Sequence, residues 1–119
     1  FGGYRVQGRD DDKADAMVNH AKALVDAGAD IILLECVPSP LAKRITNAVS
    51  VPVVGIGAGS DTDAQVLVCY DMLGLNTGHT PKFVKNYMID GHTVPDALKA
   101  YGDEVRSGAF PAAEHGFDA

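Results

Sequence analysis

The sequence predicts a parallel α/β fold, and three observations lead to it. Segments with helical spacing alternate with short aliphatic runs, the connections between them are short, and the runs lack the polar alternation of a sheet with one wet face. A strand with no polar alternation is buried on both faces, which requires helices packed against the sheet.

Each element carries its own signals. Asp10, Asp11 and Asp12 offer N-cap side chains, and Ala14, Met17, Val18, Ala21, Leu24 and Val25 follow on one helical face until Gly28 stops the helix. Asp30 leads into Ile31, Ile32, Leu33 and Leu34, a buried strand that ends at Glu35. Ser39 supplies an N-cap and Pro40 a preorganised first helical position, with Leu41, Ile45, Ala48 and Val49 as the buried stripe. Residues 51–56 form a second strand that runs into Gly55, Gly57 and Gly59. Residues 63–74 admit a helix capped by Asp61, but Val66, Leu67 and Val68 favour a strand followed by a helical turn. That strand sits uneasily with the short loop before it, since parallel neighbours usually need a crossover of about a dozen residues or more. Residues 74–81 are rich in turn formers, 82–88 suit one or two helical turns, 94–106 suit a closing helix, and the chain after Gly108 reads as a tail. Residues 1–119 form one unit, but three strands do not close a barrel of eight. The alternatives are an open sheet or a barrel whose remaining strands lie elsewhere.

Composition narrows the function. With 46% hydrophobic and 22% charged residues among 119, the chain matches an ordinary soluble domain. A formal charge of −6 and scattered Lys and Arg argue against a nucleic-acid partner, which would need clustered cations. No run approaches the roughly 20 apolar residues of a membrane helix, and the N-terminus lacks the pattern of a signal peptide. Phe1, set in a Gly-rich stretch, reads as a cut from a longer chain. Cys36 and Cys69 lie in apolar runs without CxxC spacing, so both are expected to be reduced and buried, in keeping with a cytoplasmic protein.

In parallel α/β folds ligands gather at the C-terminal strand ends, which makes Glu35 the leading catalytic candidate. Four aliphatic residues before it and Cys36-Val37-Pro38 after it suggest partial desolvation, which raises a carboxylate toward a working general base. The competing reading is structural: a cap for the next helix, or a partner for Lys43 or Arg44. The glycines of residues 55–59 lack the Lys and Ser/Thr of a P-loop, and Ser60 stands where GxGxxG needs its third glycine, so close packing is preferred over a phosphate cradle. Asp61, Asp63 and Asp71 are too dispersed for a metal cluster and suit helix capping. His79 falls in a loop after the last strand and reads as a loop residue before a catalyst; His20, His92 and His115 receive no role. Lys82 and Lys85 read as solvated charges flanking Phe83.

Taken in order, FGGYRVQGR, LLECVPSPLAKRIT around Glu35, VPVVGIGAG and GHTPKFVKNY closely resemble the ketopantoate hydroxymethyltransferase family, almost end to end. The resemblance implies the C-terminal portion of a (βα)8 TIM barrel of the phosphoenolpyruvate/pyruvate type, following strand five, with the N-terminal strands missing. It implies transfer of a hydroxymethyl group from 5,10-methylenetetrahydrofolate to 3-methyl-2-oxobutanoate (α-ketoisovalerate), giving ketopantoate for pantothenate and coenzyme A synthesis. It further implies Mg²⁺ dependence and a homo-oligomer, typically a decamer. The family's proton-accepting glutamate lies in its LECVP motif, which falls on Glu35. Its metal-binding acids and its keto-acid-binding Ser and Lys belong to earlier strands, so no metal ligand is expected in this chain. Two other readings remain: a related barrel lyase working through a similar metal enolate, and a non-catalytic interaction fragment.

Overall fold

The computed structural model describes residues 5–118; the Gly-rich start at Phe1 lies outside them. Helix α1 (Asp11–Asp26) is capped as its sequence requires, with the Asp10 carboxylate accepting from the Lys13 amide at 2.9 Å. It leads to strand β1 (Ile32–Glu35), helix α2 (Ser39–Ala48) and strand β2 (Val53–Ile56). A two-residue strand β3 (Ala64–Gln65), a one-turn helix α3 (Cys69–Met72), helix α4 (Val94–Ser107) and a 3-10 turn (Ala113–His115) complete the order.

The three strands form one parallel sheet in the order β1-β2-β3, with Ile32 opposite Val53, Glu35 opposite Ile56, and Val54 opposite Ala64. Strand alternation sends Ile32, Leu34 and Val53 toward α1 and α2, where they pack with Ala14, Ala21, Leu41, Ala42 and Ile45. Leu24 was expected on that stripe but is 55% exposed, because it sits at the rim of the face shared by Ala14, Met17, Val18, Ala21 and Val25. The opposite face of β1 carries Leu33, 60% exposed, and Glu35, with Ile31 just before the strand 59% exposed.

Several local expectations need correction. Helix α2 begins one residue early: its N-cap is Pro38, Ser39 is already helical, and no side chain of the N-cap residue closes the first turn. The Ser39 amide donates instead to the Phe117 carbonyl at 2.9 Å, so the C-terminal segment satisfies an orphan donor. The predicted strand at Val66 to Val68 lies earlier and is shorter, at Ala64–Gln65, although the Val66 amide still donates to the Gly55 carbonyl at 3.0 Å. Leu67 leaves the sheet because it packs on the clusters around Phe83 and Tyr87. The short crossover is possible because the strands are short. Asp63 is already bonded to Val53, so the return path spans about three residues, roughly 10 Å, well within the reach of seven.

Residues 82–88 are non-helical turns, held by the Tyr87 amide donating to the Met72 carbonyl and the Met88 amide to the Asn86 side chain, both at 2.9 Å. Cys69 is exposed because it opens α3 on the outer side, while Asp71 and Met72 take the buried positions; Cys36 is buried as expected. Nor is the chain after Gly108 a tail. Phe110 is 3% exposed against Tyr87 and Tyr101, and Phe117 packs beside Cys36, Ile56 and Phe83. Helix α4 matches its prediction, with a Thr93–Asp96 capping box at its start and Gly108 in the left-handed conformation at its end.

Candidate active site

The C-terminal ends of β1 and β2 lie level, and the segments that follow them converge there. Glu35 ends β1 opposite Ile56 and projects on the face away from α1 and α2. The sequence suggested a partly desolvated carboxylate, yet Glu35 is exposed. Its neighbours on that face along β1, Ile31 and Leu33, are more than half exposed too, whereas its cross-strand partner Ile56 is buried.

The structural alternatives for Glu35 are already occupied. Arg44 pairs with Asp15 at 2.6 Å and Lys43 lies 3.8 Å from Asp61, so both candidate cations are engaged on the outer side of α2. The N-cap position of α2 belongs to Pro38, not to Glu35.

After Glu35 the chain turns sharply. Cys36 has φ of +53°, the only positive value at a non-glycine residue among those described. Its amide donates to the Ile56 carbonyl at 2.9 Å, and the Val37 amide donates to the Gly57 carbonyl at 3.2 Å. Burial, followed by the charge of Glu35, pushes the Cys36 thiol up, which keeps it neutral and unreactive.

The glycines after β2 are a packing junction. A Cβ on Gly57 would meet Phe83 at 2.8 Å, one on Gly55 would meet Thr62 at 2.9 Å, and one on Gly59 would strike Ser39. Gly57 and Gly59 also have positive φ, at +63° and +79°. These contacts support the packing reading of the motif.

The three aspartates are structural, though not as helix caps. Asp63 accepts from the Val53 amide at 2.8 Å and so ties the start of β2, Asp61 faces Lys43, and the buried Asp71 accepts from Asn76 at 3.0 Å. Among the described residues no group of three or more His, Cys, Asp or Glu is placed to hold a metal ion. His79 is an exposed loop residue. His115, given no role from sequence, accepts from the Ala112 amide at 3.0 Å and packs on Phe110.

Lys82 and Lys85 are more than solvated charges. Lys82 lies 4.3 Å from the centre of the Phe117 ring, and Lys85 bonds Glu104 at 2.7 Å and 2.9 Å. Glu104 also accepts from the Tyr87 hydroxyl at 2.6 Å. No local sequence pattern marks this trio, because Glu104 lies 17 and 19 residues along the chain from Tyr87 and Lys85.

Helices on one face of a short parallel sheet, with a carboxylate delivered to the other face at a strand's C-terminal end, define a segment of the parallel α/β class. The profile of the ketopantoate hydroxymethyltransferase family matches residues 1–113, and the chain belongs to that family. Among curated proteins it is similar to 3-methyl-2-oxobutanoate hydroxymethyltransferase of Marinobacter nauticus, with 60% identity over 119 residues, covering all of this chain and 45% of that protein. The enzyme of the same name from Stutzerimonas stutzeri is 59% identical over 120 residues, again across the whole chain and 45% of the relative. That of Marinomonas sp. is 56% identical over 117 residues, covering 98% of this chain and 42% of the relative. The chain thus spans less than half the length of these relatives. Among the described residues no helix is long and apolar enough to cross a membrane.

Proposed function

We propose that this chain is the C-terminal portion of a (βα)8 barrel that transfers a hydroxymethyl group from 5,10-methylenetetrahydrofolate to 3-methyl-2-oxobutanoate, with Glu35 as the general base. The observation that carries this reading is the position of Glu35. It stands at the carboxyl end of a parallel strand, on the helix-free face, while Lys43 and Arg44 are paired elsewhere. In a closed barrel that face is the interior, and its carboxyl end is where substrates bind.

The reaction needs a base that removes the C3 proton of the keto acid, leaving a carbon nucleophile for the one-carbon unit. A carboxylate can serve as that base, and it works best where surrounding apolar groups exclude water. The remainder of the barrel would supply that enclosure. Mg²⁺ held by residues outside this segment would act as the Lewis acid that stabilises charge developing on the keto oxygen. The intact protein in this reading is a cytoplasmic homo-oligomer, a decamer, with the keto acid and the folate as its small-molecule partners.

Glu35→Gln in the intact protein tests the role, since Gln keeps the shape and cannot take the proton. With the keto acid and Mg²⁺ in D₂O and no folate, the parent should exchange the C3 hydrogen for deuterium. The variant should slow exchange by about 10² to 10⁴-fold with keto-acid binding little changed. Exchange within a few-fold of the parent would make Glu35 a structural carboxylate and place the base outside this segment.

A further inference from the structure

The residue after Glu35 holds a backbone conformation that L side chains rarely adopt. Cys36 stands at φ +53°, in a strand-to-loop junction where an extended conformation would simply prolong β1. Three backbone hydrogen bonds pin it: its amide to the Ile56 carbonyl at 2.9 Å, the Gln7 amide to its own carbonyl at 2.9 Å, and the next amide, of Val37, to the Gly57 carbonyl at 3.2 Å. These tie the junction to β2 on one side and to the segment before α1 on the other.

The side chain follows the turn. Along β1, Ile32 and Leu34 point to the helices while Leu33 and Glu35 point away. A continuing strand would return residue 36 to the helix layer. Cys36 is instead packed with Ile56 and Phe83, 2% exposed, and Ile56 is the register partner of Glu35. Glu35 is thus flanked by a fixed peptide plane and by a buried side chain on its own side of the sheet.

We infer that Cys36 is a positioning residue, whose pinned left-handed backbone fixes the direction in which the Glu35 carboxylate projects. The inference rests on the reading of Glu35 as the base. Because the thiol is buried against Ile56 and Phe83, its part is geometric. A small displacement of a catalytic group costs on the order of 10²-fold in rate, so an enforced turn beside it is consequential.

The test compares Cys36→Val, Cys36→Gly and Glu35→Gln in the intact protein, measuring C3 deuterium exchange, keto-acid affinity and thermal unfolding. Val is β-branched and resists positive φ, whereas Gly adopts it freely and preserves all three hydrogen bonds. Cys36→Val should slow exchange at least about 10-fold with keto-acid affinity within about two-fold, and Cys36→Gly should stay within about three-fold of the parent despite losing the buried thiol. A residue that only fills space gives the opposite order, with Gly the worse variant, and that order overturns the inference. So does parent-like exchange in Cys36→Val. Should Cys36→Val fail to assemble, Cys36→Thr carries the same backbone penalty with less added bulk, and the same two outcomes decide. Slow exchange in Glu35→Gln beside parent-like Cys36→Val defeats this inference alone. Parent-like exchange in Glu35→Gln defeats the base reading and takes this inference with it.

Discussion

Gly57 shows how much one hydrogen-for-methyl change can do beside the site. A Cβ there would sit 2.8 Å from the Phe83 ring at a φ of +63°, and Phe83 in turn packs on Cys36 and Ile56. Gly57→Ala should destabilise the protein by about 1–3 kcal/mol, from backbone strain and overpacking together, measured by denaturant unfolding. A change below about 0.5 kcal/mol would mean that the loop relaxes freely and is no packing junction. His79 provides the contrast. It is exposed on a loop, and His79→Ala in the intact protein should reduce turnover by less than the roughly 10²-fold loss expected on removing an acid or base catalyst. A larger loss at unchanged stability would move His79 into the chemistry.

Helix α4 is anchored to the turns of residues 82–88 by a polar trio inside an aromatic cluster. Burial alone would push the Glu104 carboxyl up. Hydrogen bonds from Lys85 and Tyr87, with the charge of Lys85, outweigh it and hold the carboxyl below its ordinary value of 4.5. Burial, then the bond to Glu104, pushes the Tyr87 hydroxyl well above its usual range, so it remains a donor at every pH of interest. A carboxyl whose pKa is lowered by folding contributes stability that is fully present above its unfolded value and is lost as pH falls through the folded one. The anchor should therefore weaken only below about pH 4.5. Glu104→Gln should lower stability at pH 7 by about 1–2 kcal/mol, the low end for charge-assisted bonds because both partners are partly solvated, and should flatten the acid limb of the stability profile. An acid limb unchanged in the variant would assign it to other carboxylates, such as Asp96 and Asp103, which are also held low by hydrogen bonds from Thr93 and Lys99.

At the scale of the whole chain the sheet is covered by helices on one face only. Extents of 44 × 28 × 23 Å and a radius of gyration of 14.9 Å exceed the roughly 13.5 Å of a compact domain this long. Ile31, Leu33 and Val66 are 59%, 60% and 40% exposed, and β1 has one strand edge unpaired within this sheet. An uncovered apolar face beside an open edge favours association, so the 119-residue segment produced alone should not behave as a monodisperse, cooperatively unfolding monomer in sedimentation and thermal melts. Such a monomer would revive a self-sufficient open sheet. By itself the sequence determined the elements whose signals are local: the Asp10 cap and apolar stripe of α1, the aliphatic run ending at Glu35, the glycine junction after β2, and the apolar spacing of α4. Each depends on residues within a turn or two of one another, and the ordered motifs identified the family for the same reason. Only the tertiary structure decided the rest. Residues 82–88 lost their helix to the bond between Tyr87 and Met72, Val66 to Val68 lost most of a strand to the clusters that claim Leu67, and the supposed tail returned to satisfy the amide of Ser39. The exposure of Glu35 within this segment, which spans less than half the length of its relatives, is likewise a matter of tertiary surroundings. Desolvation is a property of what surrounds a side chain in space, and the aliphatic residues before Glu35 alternate between the two faces of the sheet instead of enclosing its carboxylate.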